Sequence, residues 1–200
     1  PNKNRDDSLD SEELKFLVDL SGHKISNSNQ GMLRAILDLD NMTVEDIMIP
    51  RNEVSGLDLE DDIEILMEQI LSCEYTRQPV YSGDINNIIG IFHVRKANHL
   101  LRAETITHKA IKRFADEAYF IPESTRLTTQ LLNFKKMRSR FAIVVDEYGE
   151  VQGLVTLEDI LEEIVGDFTT NEADKTDELI AQKNGSYLID GTATIRDINK

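Results

Sequence analysis

The sequence predicts an α/β fold built from two copies of a β-α-β-β-α unit, preceded by a short helical N-terminal segment. Three observations carry that reading. Between Phe141 and Val165 the apolar pattern changes period: a run from Phe141 to Val145, a turn from Asp146 to Glu150, a second short strand from Val151 to Thr156, and then Leu157, Ile160, Leu161, Ile164 and Val165 at helical spacing. When Gly90 is set against Gly153, QPVYSGDINNIIGIFHVRKA falls on FAIVVDEYGEVQGLVTLEDI without a gap. The helix pattern Ile63, Leu66, Met67, Ile70 and Leu71 likewise precedes the first copy as Leu127, Leu131, Phe134 and Met137 precede the second. A repeat of this size, about sixty residues, means two supersecondary units burying a shared face.

The chain in order then divides as follows. Residues 1–40 form an acidic helical segment, with Ser11 capping the helix EELKFLVDL and a second helix over roughly Met32 to Leu39. Between them GHKISNSNQG, residues 22–31, breaks the pattern with Gly, Ser and Asn. Residues 41–104 and 105–168 are the two repeats, and 169–185 read as an acidic linker with little to bury. Residues 186–200 open a new strand at Ser186 to Ile189 and then a helix, the first piece of a further domain. The chain reads as a piece of a longer protein.

Composition narrows the function classes. With 22 Lys and Arg against 37 Asp and Glu, the net charge is −15, which repels a polyanion and argues against nucleic acid as a partner. No apolar run of about eighteen residues crosses a bilayer. The lone Cys73 builds no disulfide framework and fits a reducing compartment. The histidines 23, 93, 99 and 108 show no metal spacing, no phosphate-binding glycine loop is present, and nothing pairs a nucleophile with a base.

Thr156-Leu-Glu-Asp159 stands at a strand-to-helix junction and has two readings. As structure, Thr at the N-cap with an acidic residue three positions on is a capping arrangement. As function, the helix N-terminus seats phosphate, Asp159 can accept from two ribose hydroxyls, and Thr156 supplies a hydroxyl. In the first repeat His93 and Lys96 take the places of Thr156 and Asp159, so the two junctions are not equivalent. Asp146, Glu147 and Glu150 belong to a solvated turn, and Glu158, Glu162 and Glu163 to the solvent face of the last helix, with Glu158 nearest the phosphate seat.

Together DIMIPR (46–51), TRQPVY (76–81), IIGIFHVR (88–95), VVDEYGEVQGLVTLEDILEEIVGDF (144–168) and SYLIDG (186–191) resemble the cytoplasmic part of the CorC/HlyC-type proteins, relatives of the CNNM magnesium transporters. The resemblance covers roughly residues 10–200. It implies that the repeats are paired cystathionine-β-synthase (CBS) motifs, a Bateman module, and that residue 186 opens a CorC/HlyC C-terminal domain. It further implies an adenine nucleotide, ATP or AMP, with Mg²⁺ carried by the phosphates, in a cleft between the motifs. By resemblance Thr156 and Asp159 match the phosphate-side hydroxyl and the ribose carboxylate, with Glu158 beside them and close enough to act through Mg²⁺. Tyr75, Thr76 and Arg77 match the loop that approaches from the first motif, and Ile121, Phe141 and Ala142 line the adenine slot. Lys96 stands where the family carries Asp, which argues against a second nucleotide.

The expectation is a regulatory, non-enzymatic module of a membrane ion (Mg/Co) transporter or efflux protein. It is expected to form a homodimer and to follow a transmembrane domain on the cytoplasmic face of the membrane. The competing expectations are a structural dimerisation module without ligand, and a nucleotide hydrolase.

Overall fold

A computed structural model describes residues 11–20, 25–101, 107–166, 179–181 and 187–189, in two compact units, residues 1–165 and 166–200. Within the first unit, helix α1 spans Ser11–Leu20 and α2 spans Asn27–Asp38. The second of these begins five residues before Met32, inside the stretch whose Gly, Ser and Asn content argues for a break. Ser26 explains the difference: its Oγ accepts from Asn29 N–H at 3.3 Å, a side-chain N-cap, and Gly31 is carried within the helix. The pair is joined by ion pairs from Lys15 to Asp38 at 2.7 Å and from Arg34 to Asp19. Residues 1–10 lie outside the described residues.

The first repeat runs β2 (Leu57–Asp58), α3 (Ile63–Ser72), β3 (Arg77–Ser82), β4 (Asp84–His93) and α4 (Ala97–Leu101), after β1 (Ile49–Pro50). The second runs α5 (His108–Phe114), β5 (Phe120–Pro122), α6 (Leu127–Met137), β6 (Phe141–Val145), β7 (Val151–Thr156) and α7 (Leu157–Val165). Helix α5 is additional to the expected repeat pattern. Its counterpart in the first repeat is the single 3-10 turn Val44–Asp46, and both begin at a threonine N-cap, Thr107 and Thr43.

Each repeat forms its own sheet, of order β2-β3-β4 in the first and β1-β7-β6-β5 in the second. Strand β1 therefore leaves the first repeat and pairs antiparallel with β7, Ile49 opposite Leu154 and Pro50 opposite Gly153. Asp116, entering the second repeat, does the reverse: it exchanges two backbone hydrogen bonds with Ile91 of β4, each 2.8 Å. The two glycines that aligned the repeats are explained by this exchange. A Cβ on Gly90 would lie 2.6 Å from the Asp116 carbonyl oxygen, and one on Gly153 would meet the Ile49 carbonyl oxygen.

Each sheet packs on its helices around a dry cluster. Leu57, Leu66, Ile70, Val80 and Phe92 fill the first, and Ile121, Leu127, Phe134, Ala142 and Ile160 the second. A third cluster, Ile91, Phe141, Ile143, Val151 and Leu154, lies between the two sheets and is the shared face the repeat implied. In the second unit Leu179–Ala181 (β8) pairs antiparallel with Tyr187–Ile189 (β9). β9 falls within the strand expected at residues 186–189, whereas β8 lies in the stretch expected to be linker: Leu179, Ile180 and Ala181 form a short apolar run that the acidic average conceals.

Candidate functional site

Strand β7 ends and α7 begins at Thr156, and the local chemistry makes the junction sharp. The Thr156 N–H donates to Asp159 Oδ2 at 2.7 Å, and Asp159 N–H donates to Thr156 Oγ1 at 3.2 Å, a reciprocal capping box. The same device, Thr43 with Asp46, starts the 3-10 turn near the first repeat. The box leaves one oxygen over: Asp159 Oδ1 accepts from no backbone N–H among the described residues. Burial raises the Asp159 pKa above the ordinary aspartate value, the two Thr156 hydrogen bonds oppose that shift, and the nearby Glu158 charge adds to it.

Thr156 and Asp159 line a cleft of about 330 Å³ between the two repeats. Tyr75 and Thr76 enter it from the loop before β3 and Arg77 from the first residue of β3, and Thr156, Glu158 and Asp159 from the β7–α7 junction, with Phe141 between them. Tyr75 is pinned by its N–H to Cys73 Sγ at 3.2 Å. Seven of the nine residues singled out from sequence thus meet in one cleft. Ile121 and Ala142 do not: they are 3% and 0% exposed and pack in the second repeat's helix-side cluster. Strand alternation is the reason, since Phe141 faces the inter-sheet layer and its neighbour Ala142 must face the opposite side.

The apolar wall comes instead from Ile49, Val54 and Leu154, and Ser55 lies beside them, its Oγ accepting from the buried Gln78 Nε2 at 3.3 Å. Sequence reasoning missed Ile49, Val54 and Ser55 because it placed no strand exchange between the repeats. The aligned glycines were the available signal.

A second cleft, of about 300 Å³, lies at the corresponding place of the first repeat. There His93 replaces Thr156, and its Nδ1 accepts from Arg95 N–H at 3.2 Å. Lys96 replaces Asp159 and is tied to Asp116 Oδ1 at 2.6 Å and to the Phe114 carbonyl at 3.0 Å. This junction, with no threonine and no carboxylate at those places, has neither the capping box nor its spare oxygen. The Asp146 turn is structural: its carboxylate accepts from Tyr148 N–H, Glu150 N–H and Gln152 Nε2 at 2.8–3.0 Å.

Residues 110–166 match the model of the CBS domain. A CBS-domain pair with bound AMP from Klebsiella pneumoniae is 44% identical, with 62% of this chain and 99% of that one covered at a TM-score of 0.59. The CBS domain of a bacterial CNNM/CorC family Mg²⁺ transporter in complex with ATP is 32% identical, with 70% and 98% covered at a TM-score of 0.64. The chain belongs to the CNNM/CorC family, as its CBS-domain pair. The UPF0053 inner membrane protein YfjD of Escherichia coli is 45% identical, with 96% of this chain and 46% of that relative covered. The chain spans about half the length of the curated relatives it matches. The CBS match over residues 110–166 falls on the second repeat, where the capping box and its free oxygen sit. No helix among the described residues is long and apolar enough to cross a membrane.

Proposed function

We propose that this CBS pair binds one adenine nucleotide per chain in the first cleft and acts as the regulatory, non-enzymatic module of a membrane ion transporter of the Mg/Co type. The observation that carries the reading is the junction at Thr156: a helix N-terminus and a carboxylate with one oxygen outside the backbone cap share a cleft with apolar residues and with Arg77, which has no carboxylate within salt-bridge distance among the described residues. Asp159 Oδ1 suits the ribose hydroxyls, Thr156 and Arg77 the phosphate nearest the ribose, and Ile49, Val54, Phe141 and Leu154 a flat base. The AMP-bound and ATP-bound relatives support the same ligand class.

Four carboxylates, Glu53, Glu74, Glu158 and Asp159, share this cleft with one guanidinium. Mg²⁺ on the nucleotide phosphates relieves that repulsion, with Glu158 the carboxylate nearest the phosphate seat. Nucleotide binding biases the relative angle of the two modules of a homodimer and, through an upstream membrane domain on the cytoplasmic face, the transport pathway. Calorimetric titration with AMP and ATP tests the site: saturable binding of one nucleotide per chain is expected, and no binding of either would overturn it.

One observation favours a second reading, a structural dimerisation module without ligand. The capping box by itself accounts for the presence of Thr156 and Asp159. Under that reading neither nucleotide raises the thermal midpoint of the protein.

A further inference from the structure

The two clefts differ in charge and share a wall. The first holds Glu53, Glu74, Glu158 and Asp159 against Arg77 alone. The second is lined by the same Arg77 and Phe141, and adds Arg138, Arg140 and His93. Its own acids are Asp116, which is held by Lys96, and Glu117. Among the described residues Arg77, Arg138 and Arg140 have no carboxylate within salt-bridge distance. In a chain of net charge −15 this is an island of unpaired guanidinium groups beside an acidic cleft.

Two details show that the island is built. Arg138 closes α6 with φ +53°, the one non-glycine in the left-handed region among the described residues. Glycine takes that conformation without the Cβ penalty, so the guanidinium is kept at a backbone cost. A cation at a helix C-terminus is favourable, but Lys135 and Lys136 in the last turn of α6 already supply it. His93 meanwhile uses Nδ1 to accept from Arg95, which leaves Nε2 to carry the ring proton as a neutral donor on the cleft wall. Burial and the Arg77 and Arg95 charges hold its pKa below the ordinary histidine value.

We propose that the second cleft seats the terminal phosphates of a nucleotide whose nucleoside end lies in the first, with Arg138 and Arg140 setting the preference for a triphosphate over a monophosphate. The inference rests on the nucleotide reading of the first cleft. The acidic cleft repels the phosphate tail, the shared Arg77 turns it, and guanidinium groups with planar donor forks receive it. His93, whose Nε2–H is a donor on the cleft wall, suits this role.

The test is a set of titrations with AMP and ATP, in Mg²⁺ and in EDTA, on the parent, on Arg138→Gly, on Arg140→Gln and on the double variant. The parent should prefer ATP, and the double variant should lose about tenfold or more in ATP affinity while AMP affinity stays within about twofold. Arg138→Gly should unfold at or above the parent's denaturant midpoint, which separates the guanidinium's role from folding. Equal losses for AMP and ATP, or no loss for either, would overturn the proposal. Inorganic tripolyphosphate should be excluded from ATP-saturated protein; binding there with unchanged affinity would mark a separate anion site and overturn it too. Asp159→Ala reads the first cleft independently: if AMP still binds the parent and needs Asp159, failure of the arginine variants sinks only the tail.

Discussion

At the scale of the residue, Asp159 joins the helix cap to the cleft. Its Oδ2 is committed to the helix cap, and the residue also lines the cleft. Asp159→Ala removes both, and should lower nucleotide affinity by roughly 1.5–3 kcal/mol, the range for a hydrogen bond to a charged group. The pH dependence follows from the raised pKa. Ribose hydroxyls donate to the ionised carboxylate, and a proton on Asp159 competes with them from a higher pH than at an ordinary aspartate. Affinity should therefore fall as pH drops toward the acid range, with an onset above that of an unperturbed Asp. For the empty fold the sign is opposite. An acid whose folded pKa stands above its unfolded one opposes folding once ionised, so this penalty appears as pH rises from the unfolded value through the folded one. Asp159→Asn, which can still accept from Thr156 N–H, should raise the empty protein's thermal midpoint at neutral pH while weakening nucleotide binding. A lower midpoint would mean that the cap's charge outweighs its burial. Thr156, Asp159 and Arg77 were legible in the sequence because a capping signature and a repeat alignment are local patterns. Ile121 and Ala142 lie outside the cleft, and a short apolar run does not disclose which face of its strand borders it.

At the scale of the element, the strand exchange holds the two repeats in register. Ile49 and Pro50 lie against Gly153, and Asp116 lies against Gly90. Gly153→Ala and Gly90→Ala each press a methyl group onto a fixed backbone carbonyl, and should cost about 1–3 kcal/mol in equilibrium denaturation, the range for overpacking. Gly31 is the contrast. It sits within α2, and a Cβ added there would meet nothing within 4 Å, so Gly31→Ala should stabilise by up to about 1 kcal/mol. Stability changes of the same sign at positions 31 and 153 would contradict the packing described. The repeat was visible in the sequence through Gly90 and Gly153. The exchange was not, since β1 is two residues long and pairs with a strand about a hundred residues away, beyond any local pattern.

Across the whole molecule, helices α3 and α6 leave Leu71 and Leu132 61% and 65% exposed, with Ile65 and Met137 also exposed on the same two helices. Burying them between two copies is the natural use of such surfaces, and the proposed homodimer is assigned to these helices. Leu71→Glu together with Leu132→Glu should shift the protein to monomer in sedimentation equilibrium, with the nucleotide cleft intact. An unchanged mass would place the dimer elsewhere or dismiss it. The fold class was legible from period and repeat, while α5 and the early start of α2 were hidden by unremarkable composition and by a single capping serine.

The central claim is one adenine nucleotide per chain, seated at Thr156 and Asp159 and not at His93 and Lys96. The most direct measurement is a calorimetric titration of the parent and of Asp159→Ala with ATP in Mg²⁺. A stoichiometry of one is expected for the parent and an affinity lower by about tenfold or more for the variant, the fold-change that corresponds to about 1.4 kcal/mol. Two nucleotides per chain, or the same affinity in both proteins, would contradict it.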